Sequence, residues 1–161
     1  MSAKTEIINS IFKLVVSEYQ AIGIYQAEVF WNNYPQETFK VILKDEKEHA
    51  ENIRNNLTIN ACTYSKVIQI KIYFNLAFGW VIGTFLSCMP RKICFYFHVI
   101  AEKKAANEYK TLNEKLEKTT EREWKQGKQF SDLVNAMMKN EIIHSEYFIC
   151  HSLVTPKPEF L

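Results

Sequence analysis

Apolar residues return at every third or fourth position from Ile7 onward: Ile7, Ile8, Ile11, Leu14, Val15, Tyr19, Ile22, Tyr25 and Val29. That step matches the 3.6-residue turn of an α-helix and places these side chains on one stripe. The pattern ends near Asn32 and Asn33, and Pro35 stands where a second helix starts. This second helix runs from about Pro35 to Leu57, with Phe39, Ile42, Leu43 and Ile53 as its stripe, and "TINACTYSK" (58–66) reads as a connection. Pro90 restarts the chain. A long helix follows from about Arg91 to Lys118, a break falls near Thr119 and Thr120, and a last helix covers roughly Glu121 to Leu153 before "TPKPEFL". No strand alternation competes. Four Gly and four Pro in 161 residues are too few for the turns of an all-β fold. The length suits one core, so residues 1–161 are expected to form a single all-α domain, an antiparallel four-helix bundle with an additional apolar helix.

That additional helix is placed at about 67–89. Ile72 to Met89 carries no charge and has just the length of a membrane span, although Asn75, Thr84 and Ser87 are polar. Gly79 and Gly83 form a small face that permits close helix contact. Three placements are open: a buried fifth helix crossing the bundle, a helix embedded in a surface, or a true span, the last being hard to reconcile with short connections. The net charge of +2, with no basic tract, predicts no nucleic-acid partner. Cys62, Cys88, Cys94 and Cys150 form no CxxC pair and read as reduced thiols. The N-terminal segment lacks the features of a signal or transit peptide, as expected of a bacterial cytoplasmic or mature organellar protein.

Charged side chains normally face water, so those on apolar stripes carry information. Glu18 has Leu14, Val15, Ile22 and Tyr25 as its helical neighbours. Glu46 and His49, in "DEKEH", continue the stripe of Phe39, Ile42 and Leu43 toward Ile53. Glu102 shares a face with Phe95, Val99, Ala105 and Ala106, and Glu141 and His144 share one with Val134, Met137, Met138 and Phe148. The order is Glu, Glu-x-x-His, Glu, Glu-x-x-His: a two-helix unit, repeated. At about 1.5 Å per residue, Glu18 and Glu46 lie roughly 21 and 16 Å from the first turn, and Glu102 and Glu141 roughly 27 and 30 Å from the later break. The members of each pair therefore meet at one level of their hairpin. Four buried carboxylates need about four positive charges, which two divalent cations supply. Carboxylate with imidazole suits iron or manganese, and this ligand order is that of ferritin-like di-iron bundles.

Here the chain resembles the demethoxyubiquinone hydroxylases of ubiquinone biosynthesis, from about residue 14 to 150. The resemblance is carried by "SEYQAIGIYQAE" (17–28), "DEKEHAENI" (45–53), "FNLAFGWVIGTFLS" (74–87), "AEKKAANEYKTLNEKL" (101–116) and "NEIIHSEY" (140–147). It implies the metal ligands Glu18, Glu46, His49, Glu102, Glu141 and His144, and gives Tyr109, seven residues after Glu102, a redox or gating role. The implied reaction is the O2-dependent hydroxylation of a polyprenyl demethoxyubiquinone or quinol ring by two Fe2+ ions, with electrons derived from NADH. The chain has no Gly-x-Gly-x-x-Gly fingerprint for a nicotinamide domain of its own. Implied partners are the quinone, a membrane surface, a lipid-presenting protein and other enzymes of ubiquinone synthesis, with self-association compatible; the implied place is peripheral on the bacterial or mitochondrial inner membrane. Phe74, Phe78, Trp80 and Phe85 would line a greasy channel or touch the membrane. The chain departs from the family at Val15-Val16-Ser17, where His-Ala-Gly is common, and at Glu108, where His is common. Beside the site, Tyr25 reads as core packing. His98 reads as a satisfied core histidine or an outer partner of the ligands, and His151 as packing near the bundle end. The competing readings are a soluble ferritin- or rubrerythrin-like protein handling iron or peroxide, and an inactive lipid-binding relative.

Overall fold

The computed structural model describes residues 3–33, 35–62, 64–120 and 124–153. They form five helices: α1 (Ala3–Phe30), α2 (Gln36–Ile59), α3 (Lys66–Ser87), α4 (Arg91–Leu116) and α5 (Gly127–Leu153). Among the described residues there is no strand. The last helix starts at Gly127 rather than near Glu121. Residues 121–123 lie outside the described residues, and Trp124 to Gln126 are not helical.

The helix ends follow from local chemistry. At the end of α1 the Asn33 N–H donates to the Glu28 carbonyl (2.9 Å) and that of Asn32 to Val29 (3.2 Å), with Asn32 at φ 52°. This left-handed cap is one that asparagine tolerates. The same arrangement closes α2, where Cys62 donates to Leu57 and Ala61 to Thr58, but there an alanine takes φ 53°. Ser65 caps α3 by accepting from the Ile68 N–H. Buried Trp124 fixes the connection before α5 by donating from Nε1 to Asn56 Oδ1 (3.0 Å), beside Asn60, which accepts from the Lys125 N–H (2.8 Å).

Helices α1, α2, α5 and α4 form a ring in which each packs against the next. The cross-contacts give their directions. Ser10 meets Lys115, Glu18 meets Tyr109 and Glu28 meets His98, so α1 and α4 are antiparallel. Thr38 meets Tyr147, Asp45 meets His144 and His49 meets Asn140, so α2 and α5 are antiparallel too. The expected antiparallel bundle is therefore formed. Its diagonal partners α2 and α4 run the same way, so the chain needs a crossover between them, and α3 is that crossover.

The crossover lies outside the ring against α1, not through the bundle as a buried fifth helix. Only Ile72, Gly79, Gly83 and Leu86 of α3 are buried. A methyl group at Gly79 would collide with the Gln20 carbonyl, one at Gly83 with that of Ile24, and one at Gly23 with that of Leu76. Backbone therefore rests on backbone, which only glycine permits. Phe74, Phe78, Trp80 and Phe85 do not line an internal channel; they are 67%, 47%, 39% and 61% exposed. By length and composition α1 (Lys4–Phe30) and α3 (Lys66–Ser87) could each cross a membrane. Of the two, α1 is a ring helix with Glu18 and Glu28 buried on it.

The core of the ring is in two parts. One holds Ile11, Leu14, Ile53, Leu57, Leu112, Leu116, Trp124, Phe130 and Val134. The other holds Ile24, Tyr25, Phe39, Ile42, Phe95 and Phe148. On every ring helix a charged layer separates them: Glu18 between Leu14 and Ile24, Glu46 and His49 between Ile42 and Ile53, Glu102 between Phe95 and Leu112, Glu141 and His144 between Val134 and Phe148.

Candidate metal centre

All six ligand-type residues named from the sequence come together in that layer, each no more than 6% exposed. His49 Nδ1 lies 3.0 Å from Glu141 Oε1 and 3.6 Å from Glu18 Oε2. His144 Nδ1 lies 3.6 Å from Glu102 Oε2 and 3.9 Å from both Glu46 Oε1 and Glu141 Oε2. Two groups of four have ligand atoms within 4.8 Å of one another: Glu18, Glu46, His49 and Glu141, and Glu46, Glu102, Glu141 and His144. Glu46 and Glu141 belong to both. Each group could hold a cation: Glu18 and His49 would serve one and Glu102 and His144 the other, with Glu46 and Glu141 within reach of both.

The hydrogen bonding fits this arrangement. Glu18 Oε2, Glu46 Oε1, both Glu141 oxygens and the Nδ1 atoms of His49 and His144 are buried without a hydrogen-bond partner. Unpaired buried polar atoms are rare; these converge on one space, where a cation would satisfy them together. The remaining ring nitrogens turn outward. His144 Nε2 lies 3.1 Å from Asp45 Oδ2, an acceptor that fixes the N–H there and leaves Nδ1 as a lone pair facing inward. At His49 the outer contact runs the other way: the Asn140 amide Nδ2 lies 3.4 Å from Nε2, so the amide donates and the ring nitrogen accepts.

Two phenols complete the layer. Tyr109 donates to Glu18 Oε1 at 2.7 Å, and Tyr25 donates to Glu102 Oε1. Burial, reinforced by the carboxylates they face, pushes both phenols well above their ordinary pKa, so each keeps its proton. Without cations the acids share their burden unequally. Burial, then the charges of Glu18 and Glu102, pushes Glu46 well up. Burial, then Glu46 and Glu102, does the same to Glu141. Glu102 is also pushed up by burial, but the adjacent Glu141 and His144 and the hydrogen bond from Tyr25 outweigh that and hold it at about 2. The cation-free layer therefore keeps protons on Glu46 and Glu141, the two residues common to both groups.

A cavity of about 230 Å³ opens between α1 and α4 onto Glu18, Glu46, Glu102 and Glu141. Its walls are Ser17, Gln20, Ala21, Ile24, Phe97, Ile100, Ala101, Lys104 and Ala105.

The other sequence expectations divide. Tyr25 is core, as expected, and also a hydrogen-bond partner of a ligand. His98 is a buried core histidine whose Nε2 lies 2.9 Å from Glu28 Oε1 rather than against a ligand. His151 is exposed, stacked on Tyr147 at 3.9 Å. Glu108 pairs with Lys13 of α1 at 2.9 Å. Asp45, Asn140 and Glu28 were missed. Glu28 could have been found, since it follows Tyr25 by three residues on the same buried stripe. Asp45 and Asn140 are each adjacent in sequence to a ligand and carry no periodic signal. Neither a scan against protein-family models nor a search of curated proteins returns a match to this chain.

Proposed function

We propose that this chain is an O2-dependent di-iron monooxygenase of the ferritin-like kind, hydroxylating the ring of a polyprenyl demethoxyubiquinol at a membrane surface. The observation that carries the reading is the pair of four-residue groups sharing Glu46 and Glu141, directly below a ring-sized cavity. The single crossover between α2 and α4 is also that of ferritin-like bundles. Iron held there would supply the activation of O2, with reducing equivalents originating from NADH.

The chain's own residues do the rest. At about 230 Å³ the cavity is smaller than the ~300–1,000 Å³ of pockets that enclose a whole drug-sized ligand. It suits the ring alone, leaving an isoprenoid tail to leave past Phe97 and Ile100, the latter 53% exposed. Ile24, Phe97 and Ile100 keep water from the reacting carbon. Tyr109 and Tyr25 donate hydrogen bonds to Glu18 and Glu102, one phenol for each group, and Tyr109 acts there by positioning Glu18. Asp45 and Asn140 hold the two imidazoles in place. Val67, Ile70, Phe74, Val81 and Phe85 on the outer face of α3 favour a peripheral inner-membrane location. An iron- or peroxide-handling protein free in solution has no use for that face.

The test is complementation of a strain lacking its demethoxyubiquinone hydroxylase. Ubiquinone should return and demethoxyubiquinone should clear. A folded, expressed, iron-loaded chain that leaves demethoxyubiquinone accumulating would defeat the proposal, whatever its metal content.

A further inference from the structure

A second set of ligand-type side chains is closed to solvent one layer above the acidic centre. Glu28, in the last turn of α1, is 0% exposed; Cys94 and His98, four residues apart on α4, are 2% and 1% exposed. Cys94 Sγ lies 3.2 Å from Glu28 Oε1, and His98 Nε2 lies 2.9 Å from the same oxygen. One ligand atom from each of the three residues lies within 4.8 Å of the others. The second oxygen of Glu28, Oε2, is buried with no hydrogen-bond partner. A hydrogen-bonded core triad leaves that oxygen unexplained, because a buried carboxylate normally has both oxygens satisfied.

The chemistry of the three donors is specific. A thiolate and an imidazole favour zinc-like cations over magnesium or calcium. One divalent cation, one thiolate and one carboxylate are together neutral, which a dry core tolerates. The His98 ring is held between Tyr25 (centroids 5.0 Å apart, 17° between planes) and Phe148 (4.6 Å, 20°), so its Nε2 is aimed before anything binds. Half-buried Asn33, with Nδ2 3.9 Å from Cys94 Sγ, stands at the edge where a fourth ligand or a water would enter.

We propose that Glu28, Cys94 and His98 form a separate mononuclear site for a zinc-like divalent cation, tying the end of α1 to the first turns of α4. The site shares no residue with the six of the acidic layer and does not depend on the monooxygenase reading. In the cation-free form the thiol donates to Glu28. Burial and that carboxylate push Cys94 far up from its ordinary pKa, so uptake must release its proton.

The experiment uses the full chain, stripped with a chelator and titrated with Co2+ as a spectroscopic probe. The acidic layer contains no sulfur, so a thiolate-to-cobalt charge-transfer band reports only on cysteine. The wild type should show that band, saturating at one equivalent, and Cys94→Ser should lose it while retaining Cys62, Cys88 and Cys150. Glu28→Gln should weaken the same equivalent by at least ~100-fold, more than is lost with a supporting outer partner. Zn2+ should raise the Tm of the wild type by more than that of a Cys94→Ser chain shown by circular dichroism to be folded, since the acidic layer is intact in both. A folded wild type without the band, or a band that survives Cys94→Ser, would overturn the proposal. One sulfur-ligated equivalent without two further ones would uphold it while sinking the di-iron reading.

Discussion

Stripping the cations should make this protein less stable as the pH rises, the reverse of what acid denaturation teaches. Glu46 and Glu141 are pushed up by burial and then by neighbouring carboxylates. In the unfolded chain each titrates at the ordinary value of about 4.3. Above that point the folded state holds protons that the unfolded state has lost, and stability declines until the folded-state values are passed. Burial lowers His144, but Glu102 and Asp45 outweigh it and raise it, so its contribution is also lost as pH rises. Glu102, held at about 2, stabilises above the carboxylate range and fails only in stronger acid. Between about pH 5 and 8 no opposing shift acts in the layer. Each differentially held proton gives a slope of about 1.4 kcal/mol per pH unit, so the two carboxylates together make a fall on the order of a kcal/mol per pH unit or more. Both groups are at least nine-tenths buried, so solvent screening takes little from this figure. Urea unfolding followed by circular dichroism across this range, in chelator and again with anaerobic Fe2+, measures it. The chelated protein should lose stability with pH, and the loaded protein should not. Chelated stability that is flat or rising toward pH 8 would refute the buried, protonated layer.

Glu141→Gln should abolish uptake of both cations and all turnover, whereas Glu18→Gln should cost only one cation, as equilibrium metal analysis would show. At about pH 8 the chelated Glu141→Gln protein should gain on the order of 1–3 kcal/mol, because a neutral amide needs no proton taken up on folding where Glu141 does. Gly79→Ala would add about 1 kcal/mol of helix propensity were α3 free. Against the Gln20 carbonyl it should instead destabilise by about 1–3 kcal/mol and speed proteolysis between α2 and α3. Ala61→Gly should raise stability in urea unfolding by roughly 0.5–1 kcal/mol, since alanine at φ 53° carries the left-handed penalty.

The ring helices and the six inward ligand-type residues were legible because both are periodic. A buried Glu on an apolar stripe breaks a rule that composition cannot hide, and level-matching needs only the helix rise. The α3 placement was not legible, because an uncharged helix reads the same whether its apolar face meets protein or lipid. Gly79 and Gly83 pointed to a close helix contact, but Gly23, the matching residue on α1, lies in a stripe where its neighbours drew the attention. The late start of α5 was hidden for a related reason: "WKQ" (124–126) carries no helix breaker, and the long-range hydrogen bond from Trp124 to Asn56 holds these three residues out of the helix.

The charged layer explains why the rest of the ring is packed as it is. Taken alone, four carboxylates in a dry interior oppose folding, and no pairing among them removes that cost. The aromatic and aliphatic layers on either side, with Tyr25, Phe39, Phe95 and Phe148 above and Trp124 and Phe130 below, hold the helices together whether or not cations are bound. The six side chains are thereby kept converging, on a backbone that does not have to assemble around the metal. Beyond linking α2 to α4, α3 adds only Ile72 and Leu86 to the two buried clusters. Its other positions could then be given over to an outward apolar face, with Ile72 and Leu86 anchoring the helix and three glycines letting its backbone rest on that of α1. A helix recruited for ring stability would instead turn Phe74, Phe78 and Phe85 toward α1, and here all three face away.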